Sequence, residues 1–439
     1  MIVPMHNNST TEIGLEAGAG NGEPWRRPLS DDGPLTLDAR KNGKAPLKLL
    51  IYSQDGFGLG HLRRNLNIGL QIKKRCPRAS ILIIADSPQA PFFKLPPQCD
   101  FIKIPTIVKV DTGIWRPDRL PMHYKELLSI RTEIIQNVAV SFRPDLFLVD
   151  HMPHGALGEL AGPLKMIKQY CPETKIILGL RDILGAPEVI HQQWQQEGAF
   201  EAAAAYYDQV CIYGCADVFN VMAEYRFPAA VAAKTSYCGY VCRDEAKAKP
   251  NGGALPEAFA QTREKFVLVT GGGGADASYF MDKFIDAVRA LQPRIAFNAL
   301  ISTGPFMHKD QRQGLYKKAK GLPVVVTPSG QDNIRFLRQA DLVISMAGYN
   351  TISEILRFRK NAIIIPRPGP SAEQTMRTRI MAGRGLFSSI HPHDLTTESF
   401  AELIARQLRG EDGMNEDELP NLSGAANAAA LMLSALEAH

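Results

Sequence analysis

Short apolar runs recurring between longer amphipathic stretches constrain this chain more than any other feature. In the first half they read KLLIYS, SILIIAD, DFIKIP, DLFLVD, KIILGL and DQVCIYG, with helical patterns such as YKELLSIRTEIIQNVAV between several of them. Runs that are apolar at nearly every position suit strands buried on both faces, the condition of a parallel sheet covered by helices. In the second half KFVLVT, AFNALIST, PVVVTP, DLVISM and NAIIIP alternate with MDKFIDAVRAL, QDNIRFLRQA, TISEILRF and AEQTMRTRIMA. The expected fold class is α/β, two doubly wound Rossmann-like domains.

The interruptions set the boundaries. Residues 1–46 mix Asn, Ser, Gly, Pro and charges without apolar periodicity and read as a mobile tail. Residues 47–241 form the expected first domain. The Ala/Pro/Gly-rich segment 242–262 suits a linker, and 263–410 the second domain. Residues 411–439 hold a polar stretch and a closing Ala/Leu-rich helix, GAANAAALMLSALEA.

Charge excludes one class of partner. Fifty Lys+Arg against 45 Asp+Glu leave only +5, spread without long like-charge blocks, which is no nucleic-acid signature. The seven cysteines are scattered, the start lacks a basic-then-apolar leader, and no apolar run is long enough for a bilayer. A cytoplasmic protein is expected. Cys211 with Cys215 and Cys238 with Cys242 have spacing that a thiolate metal site could use. Their strand-like surroundings are explained as well by buried structural thiols, so no metal is expected.

In open parallel sheets ligands bind beyond the carboxyl ends of the strands, and the unusual residues of this chain lie there. The first half carries SQDGFGLGH, VDHMPHG, LRD and IYG after its strands; the second carries TGGGGAD, STGPF, TPSGQ, SMAGYN and PRPGPSAEQ. In TGGGGAD, Gly272 and Gly273 let the backbone approach a ligand, and the missing Gly-Lys-Ser/Thr ending argues against a P-loop. In ISMAGYNTISEIL a strand passes through Gly348 into a helix opened by Tyr349, Asn350 and Thr351, whose amides and dipole could hold a diphosphate. Glu354 could accept two ribose hydroxyls, or could close a capping box with Thr351. Glu373 and Gln374, at the start of the next helix, suit sugar hydroxyls or ordinary helix-start polarity.

Taken together, TGGGGAD, STGPF, SMAGYNTISE and PRPGPSAEQ resemble the donor-binding domain of the GT-B glycosyltransferases, in particular the MurG-type group, over most of residues 263–410. The resemblance implies two domains facing across a cleft and a nucleotide-sugar donor. It implies Ser345 and Gly348 to Thr351 near the diphosphate, Glu354 on the ribose, and Glu373 with Gln374 on the sugar. The family's first-domain loop is also glycine-rich and ends in Gly-His, as Gly60-His61 does here. Gly56, Gly58 and Gly60 would then let the backbone approach donor phosphates or acceptor, with Asp55 in the same cleft loop. The GHLRR continuation looks closer to an uncharacterised bacterial branch than to the peptidoglycan enzyme.

Inverting transfer needs a base for the acceptor hydroxyl and positive character at the departing phosphate; helix dipoles supply the latter without an obligatory metal or cofactor. Candidate bases are His61, Asp55, Asp150, His151 and His154, with His61 or Asp150 favoured. His61 could instead cap its helix, and Asp150 could cap one or pair with Arg181. A dinucleotide oxidoreductase fits poorly, because the third glycine of G-x-G-x-x-G falls on His61. An epimerase or hydrolase of the same fold and a non-catalytic nucleotide-sugar binder remain as rivals. The acceptor is a carbohydrate, a lipid-linked group or a small molecule. Residues 90–120 interleave Phe, Ile and Trp with Lys and Arg, giving either a peripheral contact with the inner face of a membrane or a strand and partly packed loop.

Overall fold

The described residues of the computed structural model are 45–54, 60–111, 114–243, 259, 264–328, 333–369 and 371–437. Asp55, Gly56 and Gly58, nearly all of the tail and most of the linker lie outside them.

The first-half runs become β1 (Lys48–Ser53), β2 (Ser80–Ala85), β3 (Cys99–Lys103), β6 (Leu146–Asp150), β7 (Lys175–Arg181), β8 (Gln209–Tyr213) and β9 (Thr235–Tyr237). They pair in parallel in the order β3-β2-β1-β6-β7-β8-β9. Leu49, Leu50, Ile51 and Tyr52 are all fully buried, so KLLIYS is covered on both faces as its composition requires. β4 (Ile107–Asp111) and β5 (Ile114–Pro117) stand apart as an antiparallel hairpin. A strand with a partly packed loop is the sequence expectation there; the second strand pairs locally because both runs are short and outside the parallel sheet.

The second half forms β10 (Lys265–Thr270), β11 (Phe297–Ser302), β12 (Val324–Thr327), β13 (Leu342–Ser345), β14 (Ala362–Ile364) and β15 (Ser388–Ser389), parallel in the order β12-β11-β10-β13-β14-β15. Each sheet reverses its winding once. β1 lies beside β6, and β10 beside β13. At such a switch point the loops leaving the two neighbouring strands diverge to opposite faces and open a crevice.

The closing helix Gly424–Ser434 does not stay with the second sheet. Its buried Ala425, Ala428, Ala429 and Met432 pack on the helix Gly60–Arg75, whose Leu62, Ile68 and Ile72 stripe covers the first sheet. Alanine at the contact lets the two helices come close, and the chain thereby returns to its first half. One apolar cluster runs from Leu49 and Ile51 through Tyr349 and Ile352 to Met432.

Candidate active site

At the first switch point the residue ending β6 meets the helix following β1. Asp150 is fully buried, and its Oδ2 lies 2.6 Å from His61 Nδ1. Arg64, one helical turn beyond His61, donates through Nη2 to Asp150 Oδ1 at 2.8 Å and Oδ2 at 2.9 Å, and Asn65 Nδ2 donates to Oδ2 at 3.2 Å. Burial alone would push the Asp150 carboxyl up. The charges of Arg64 and His61, with their hydrogen bonds, outweigh burial and hold it well below the usual carboxylate range.

An ionised carboxylate only accepts, so the 2.6 Å contact requires His61 Nδ1 to carry the proton. In the neutral imidazole Nε2 then keeps its lone pair, the arrangement of a general base oriented by an acid. His61 is 16% exposed in its side chain, enough to be reached from the cleft.

His151 completes this cluster, its ring centroid 5.3 Å from that of His61. Its φ of 82° is uncommon for a residue with a side chain, and its amide donates to Gly179 O at 2.8 Å, prolonging the β6–β7 pairing by one bond. Burial pushes the His151 imidazole well below its ordinary value, and the charges of Arg181 and His61 push the same way. It is therefore a neutral neighbour of the pair.

At the second switch point backbone takes the place of side chains. Gly274 has φ 88°, and a Cβ added there would stand 1.8 Å from Thr303 O, so the turns after β10 and β11 pack main chain on main chain. Phe306 N–H closes the same contact by donating to Gly273 O at 2.9 Å. Gly272 (φ 63°) is different: its nearest neighbour would be Thr351 Oγ1 at 3.9 Å, and Gly348 likewise leaves 4.0 Å to the same hydroxyl. Within the glycine run Gly272 thus lies open toward the helix Tyr349–Arg357, while Gly274 is packed, as is Gly271, where a Cβ would stand 2.2 Å from Ala277 Cβ. Thr270 Oγ1 braces the loop, accepting from Gly272 N–H and Asn333 Nδ2, both at 3.3 Å.

That helix is capped by Gly348, without a side-chain cap. The capping box between Thr351 and Glu354 does not form, because the helix starts two residues before Thr351. The amides of Tyr349, Asn350 and Thr351 precede the first intrahelical bond, Ile352 N–H to Gly348 O at 3.0 Å. Asn350 Nδ2 donates to Gly60 O at 2.9 Å, so the end of the first glycine loop touches the start of this helix.

Comparison with known proteins adds a family to this geometry. Residues 266–427 match the glycosyltransferase family 28 C-terminal domain. Over 379 residues the chain is 23% identical to the UDP-N-acetylglucosamine–N-acetylmuramyl-(pentapeptide) pyrophosphoryl-undecaprenol N-acetylglucosamine transferase of Lactococcus lactis, covering 85% of this chain and 94% of that one. The fold is that of the GT-B glycosyltransferases, and the chain is similar to the MurG-type group. The transferase of the same name from Syntrophotalea carbinolica is 30% identical over 161 residues, 36% of this chain and 43% of its own. Acinetobacter baumannii MurG superposes with a TM-score of 0.56 at 14% identity, over 89% of this chain and all of that one. A UDP-GlcNAc 2-epimerase from Neisseria meningitidis, bound to UDP-GlcNAc, superposes with 0.57 at 11% identity, over 90% and 100%.

Against this GT-B frame several expected site residues have other partners. Tyr349 turns inward: its hydroxyl donates to Tyr213 O and accepts from Val241 N–H, both at 2.9 Å, pinning the two halves together. Ser345 is buried, and its hydroxyl donates to Met346 O at 3.1 Å. Glu373 receives Arg181 Nη1 on both oxygens at 2.8 Å and Arg377 Nη2 at 3.0 Å. Burial would raise the Glu373 carboxyl, and these cations outweigh it and lower it. Gln374 Oε1 accepts from Arg367 N–H at 3.0 Å, and its amide nitrogen is the group left for a ligand. Glu354 is half-buried beside Arg243, 4.0 Å away. His154 leaves the cluster, its Nδ1 lying 3.2 Å from Glu197 O. Asp150 pairs with Arg64; Arg181 crosses to the other domain instead. The cysteines have separate contacts: Cys211 is hydrogen-bonded to Cys238, Cys242 Sγ lies 3.5 Å from Ser353 O, and Cys215 Sγ 3.9 Å from Asn421 O.

Residues outside the expected set complete the picture. Arg64 is the first, and a His-Arg spacing of three on a helix was its available signal. Arg377 is the second: fully buried, it donates to Asp182 at 2.9 and 2.6 Å and to Ala347 O at 2.9 Å. This ion pair joins the two halves across 195 residues of sequence, a distance no local pattern reveals.

Proposed function

We propose that this glycosyltransferase takes its sugar from a nucleoside-diphosphate donor and transfers it to an acceptor hydroxyl in one inverting displacement that needs no metal. The observation that carries this reading is the contact of Asn350 with Gly60, which joins an oriented histidine to an uncapped helix start.

The amides of residues 349–351, the Thr351 hydroxyl and the open backbone at Gly272 suit the diphosphate. Glu354, lower on the same helix, suits the ribose hydroxyls. The Gln374 amide and the remaining lone pairs of Glu373 suit the sugar. His61 Nε2 takes the proton of the acceptor hydroxyl as its oxygen bonds to the anomeric carbon, and the bond from that carbon to the phosphate oxygen breaks. Asp150 stabilises the imidazolium, while the helix dipole meets the charge on the departing diphosphate. With base and leaving-group contacts on opposite halves, attack from the face opposite the leaving group, hence inversion, is the natural course.

The names of the relatives speak of a pyrophosphoryl-undecaprenol acceptor, and a lipid-linked acceptor would bring this chain to the inner face of a membrane. Supporting that reading, Phe92, Leu120 and Tyr124 are 62%, 43% and 44% exposed, with Arg116, Arg119 and Lys125 exposed near the β4–β5 hairpin. No described helix is long and apolar enough to cross a membrane.

Thermal-shift measurement with UDP, GDP, dTDP, ADP and NAD tests the donor class, because a ligand selective for the native state raises its melting temperature. A shift with one nucleoside diphosphate is expected; a shift with NAD alone contradicts the reading. The epimerase neighbour gives one alternative a footing, and conversion of a nucleotide sugar without any acceptor would favour it.

A further inference from the structure

Arg64, the last residue of GHLRR, touches both halves of the site. Its guanidinium carbon lies 5.4 Å from the ring centroid of Tyr213, at the end of β8, and 5.4 Å from that of Tyr349, the first residue of the helix assigned to the diphosphate. The group is held between two aromatic rings, one from each domain, and is 1% exposed. From that slot Nη2 reaches both oxygens of Asp150 and approaches His61 Nδ1 to 3.0 Å.

Three donors, His61 Nδ1–H, Arg64 Nη2–H and Asn65 Nδ2–H, therefore share Asp150 Oδ2, and of these only Arg64 also holds Oδ1. The carboxylate cannot rotate away from His61 without giving up the guanidinium, and the guanidinium cannot move without leaving the rings. Tyr349 is itself fixed by its hydrogen bonds to Tyr213 and Val241. We infer that Arg64 is a positioning residue through which the donor-side helix sets the tautomer and direction of His61: Tyr349 holds Arg64, Arg64 holds Asp150, and Asp150 holds the Nδ1–H form. A transferase gains from such a link, because the base faces the cleft correctly only when the donor half is docked. The inference rests on the reading of His61 as the base.

The test is a two-bond 1H–15N spectrum of the histidine side chains in the full-length protein, with His61 assigned by its loss in His61→Asn. This spectrum separates Nδ1–H from Nε2–H imidazole and does not depend on activity. The parent is expected to show only the Nδ1–H form. Arg64→Gln keeps a hydrogen-bonding side chain but removes the charge and the fork, and should raise the Nε2–H population by about tenfold or more. Arg64→Lys restores charge without the planar fork and should give an intermediate spectrum. It decides the matter if Arg64→Gln does not fold.

A parent spectrum dominated by Nε2–H, or variants indistinguishable from the parent, overturns the inference. Calorimetry with UDP on the parent keeps the two readings apart. UDP binding with an unchanged tautomer across the variants sinks the role of Arg64 alone; a tautomer change without UDP binding sinks the donor assignment and leaves the positioning intact.

Discussion

The two switch points of this protein are built alike in topology and oppositely in chemistry. After β1 and β6 the crevice is furnished with ionisable side chains: His61, Arg64, Asp150 and His151. After β10 and β13 it is furnished with main chain: Gly272, Gly348 and the free amides of residues 349–351. The difference teaches what each half is suited to. Proton transfer needs a group whose protonation state is fixed by neighbours, and Asp150 has three such neighbours within 3.2 Å. Holding a diphosphate needs many donors without titration, and a helix start supplies them whatever the pH.

Breaking the side-chain half should have the largest effect. His61→Ala should lower kcat by about two to four orders of magnitude while UDP affinity stays within about twofold, because the proposed donor contacts lie on the other half. Asp150→Asn should act in the same direction, through loss of the oriented Nδ1–H form. Steady-state rates beside calorimetry check both. Equal losses of rate and of UDP binding would erase the division of labour.

Breaking the main-chain half takes one methyl group. Gly274→Ala would set a Cβ at 1.8 Å from Thr303 O with φ at 88°, and should destabilise the protein by about 3 kcal/mol in urea unfolding. A Gly272→Ala change meets no atom closer than 3.9 Å, so its smaller cost of about 1 kcal/mol should come from φ alone while UDP binding weakens. Equal destabilisation by the two would deny that Gly274 is packed while Gly272 lies open.

A finer probe is Glu354→Gln, which should weaken UDP binding by about five- to twentyfold with folding intact, since Glu354 closes no capping box. Calorimetry and a melting curve on the same sample check it; a lost fold with unchanged affinity would make the residue structural.

An effect confined to a pH window concerns a second buried arginine, deep in the first half. Arg131 is shared by Glu159 at 2.6 Å and Asp86 at 3.1 Å, so one cation serves two carboxylates. Burial pushes the Asp86 carboxyl up to about 6, against the lowering by Arg131. Its folded value is raised, so this group's contribution falls as pH rises from about 4 to 6 and is level above that. Asp150 and Glu373 are lowered and behave oppositely, losing stability as pH falls through the acid range. Stability of the parent relative to Asp86→Asn should therefore drop by about 2 kcal/mol between pH 4 and 6. A rising difference over that window would mean that Arg131 serves Asp86 first.

How far the sequence carried this picture depends on whether a property is local. The strands were legible because burial on both faces writes itself into four or five consecutive residues, as in KLLIYS and DLVISM. His61 and Asp150 were legible as loop residues after strands, but not as a pair, since β1 and β6 become neighbours only through the sheet order. Arg64 stood in the same stretch as His61, but a local stretch does not show which carboxylate a buried arginine will meet. Tyr349 and Glu373 sat in donor-side motifs and read as ligand contacts; the sequence does not tell which way a side chain turns at a domain interface. Arg377 and Asp182 could not be matched at all, their pairing being wholly tertiary. The hairpin β4–β5 escaped because its runs are too short to stand out beside a parallel sheet.

The position of the nucleotide decides which half holds the donor, and a crystal structure of the full chain with UDP measures that directly. The diphosphate is predicted against the amides of Tyr349, Asn350 and Thr351 and the backbone at Gly272, the ribose at Glu354, and the His61 imidazole facing the terminal phosphate across the cleft. UDP seated instead beyond β1 and β6, on the side chains of His61 and Arg64, would contradict it.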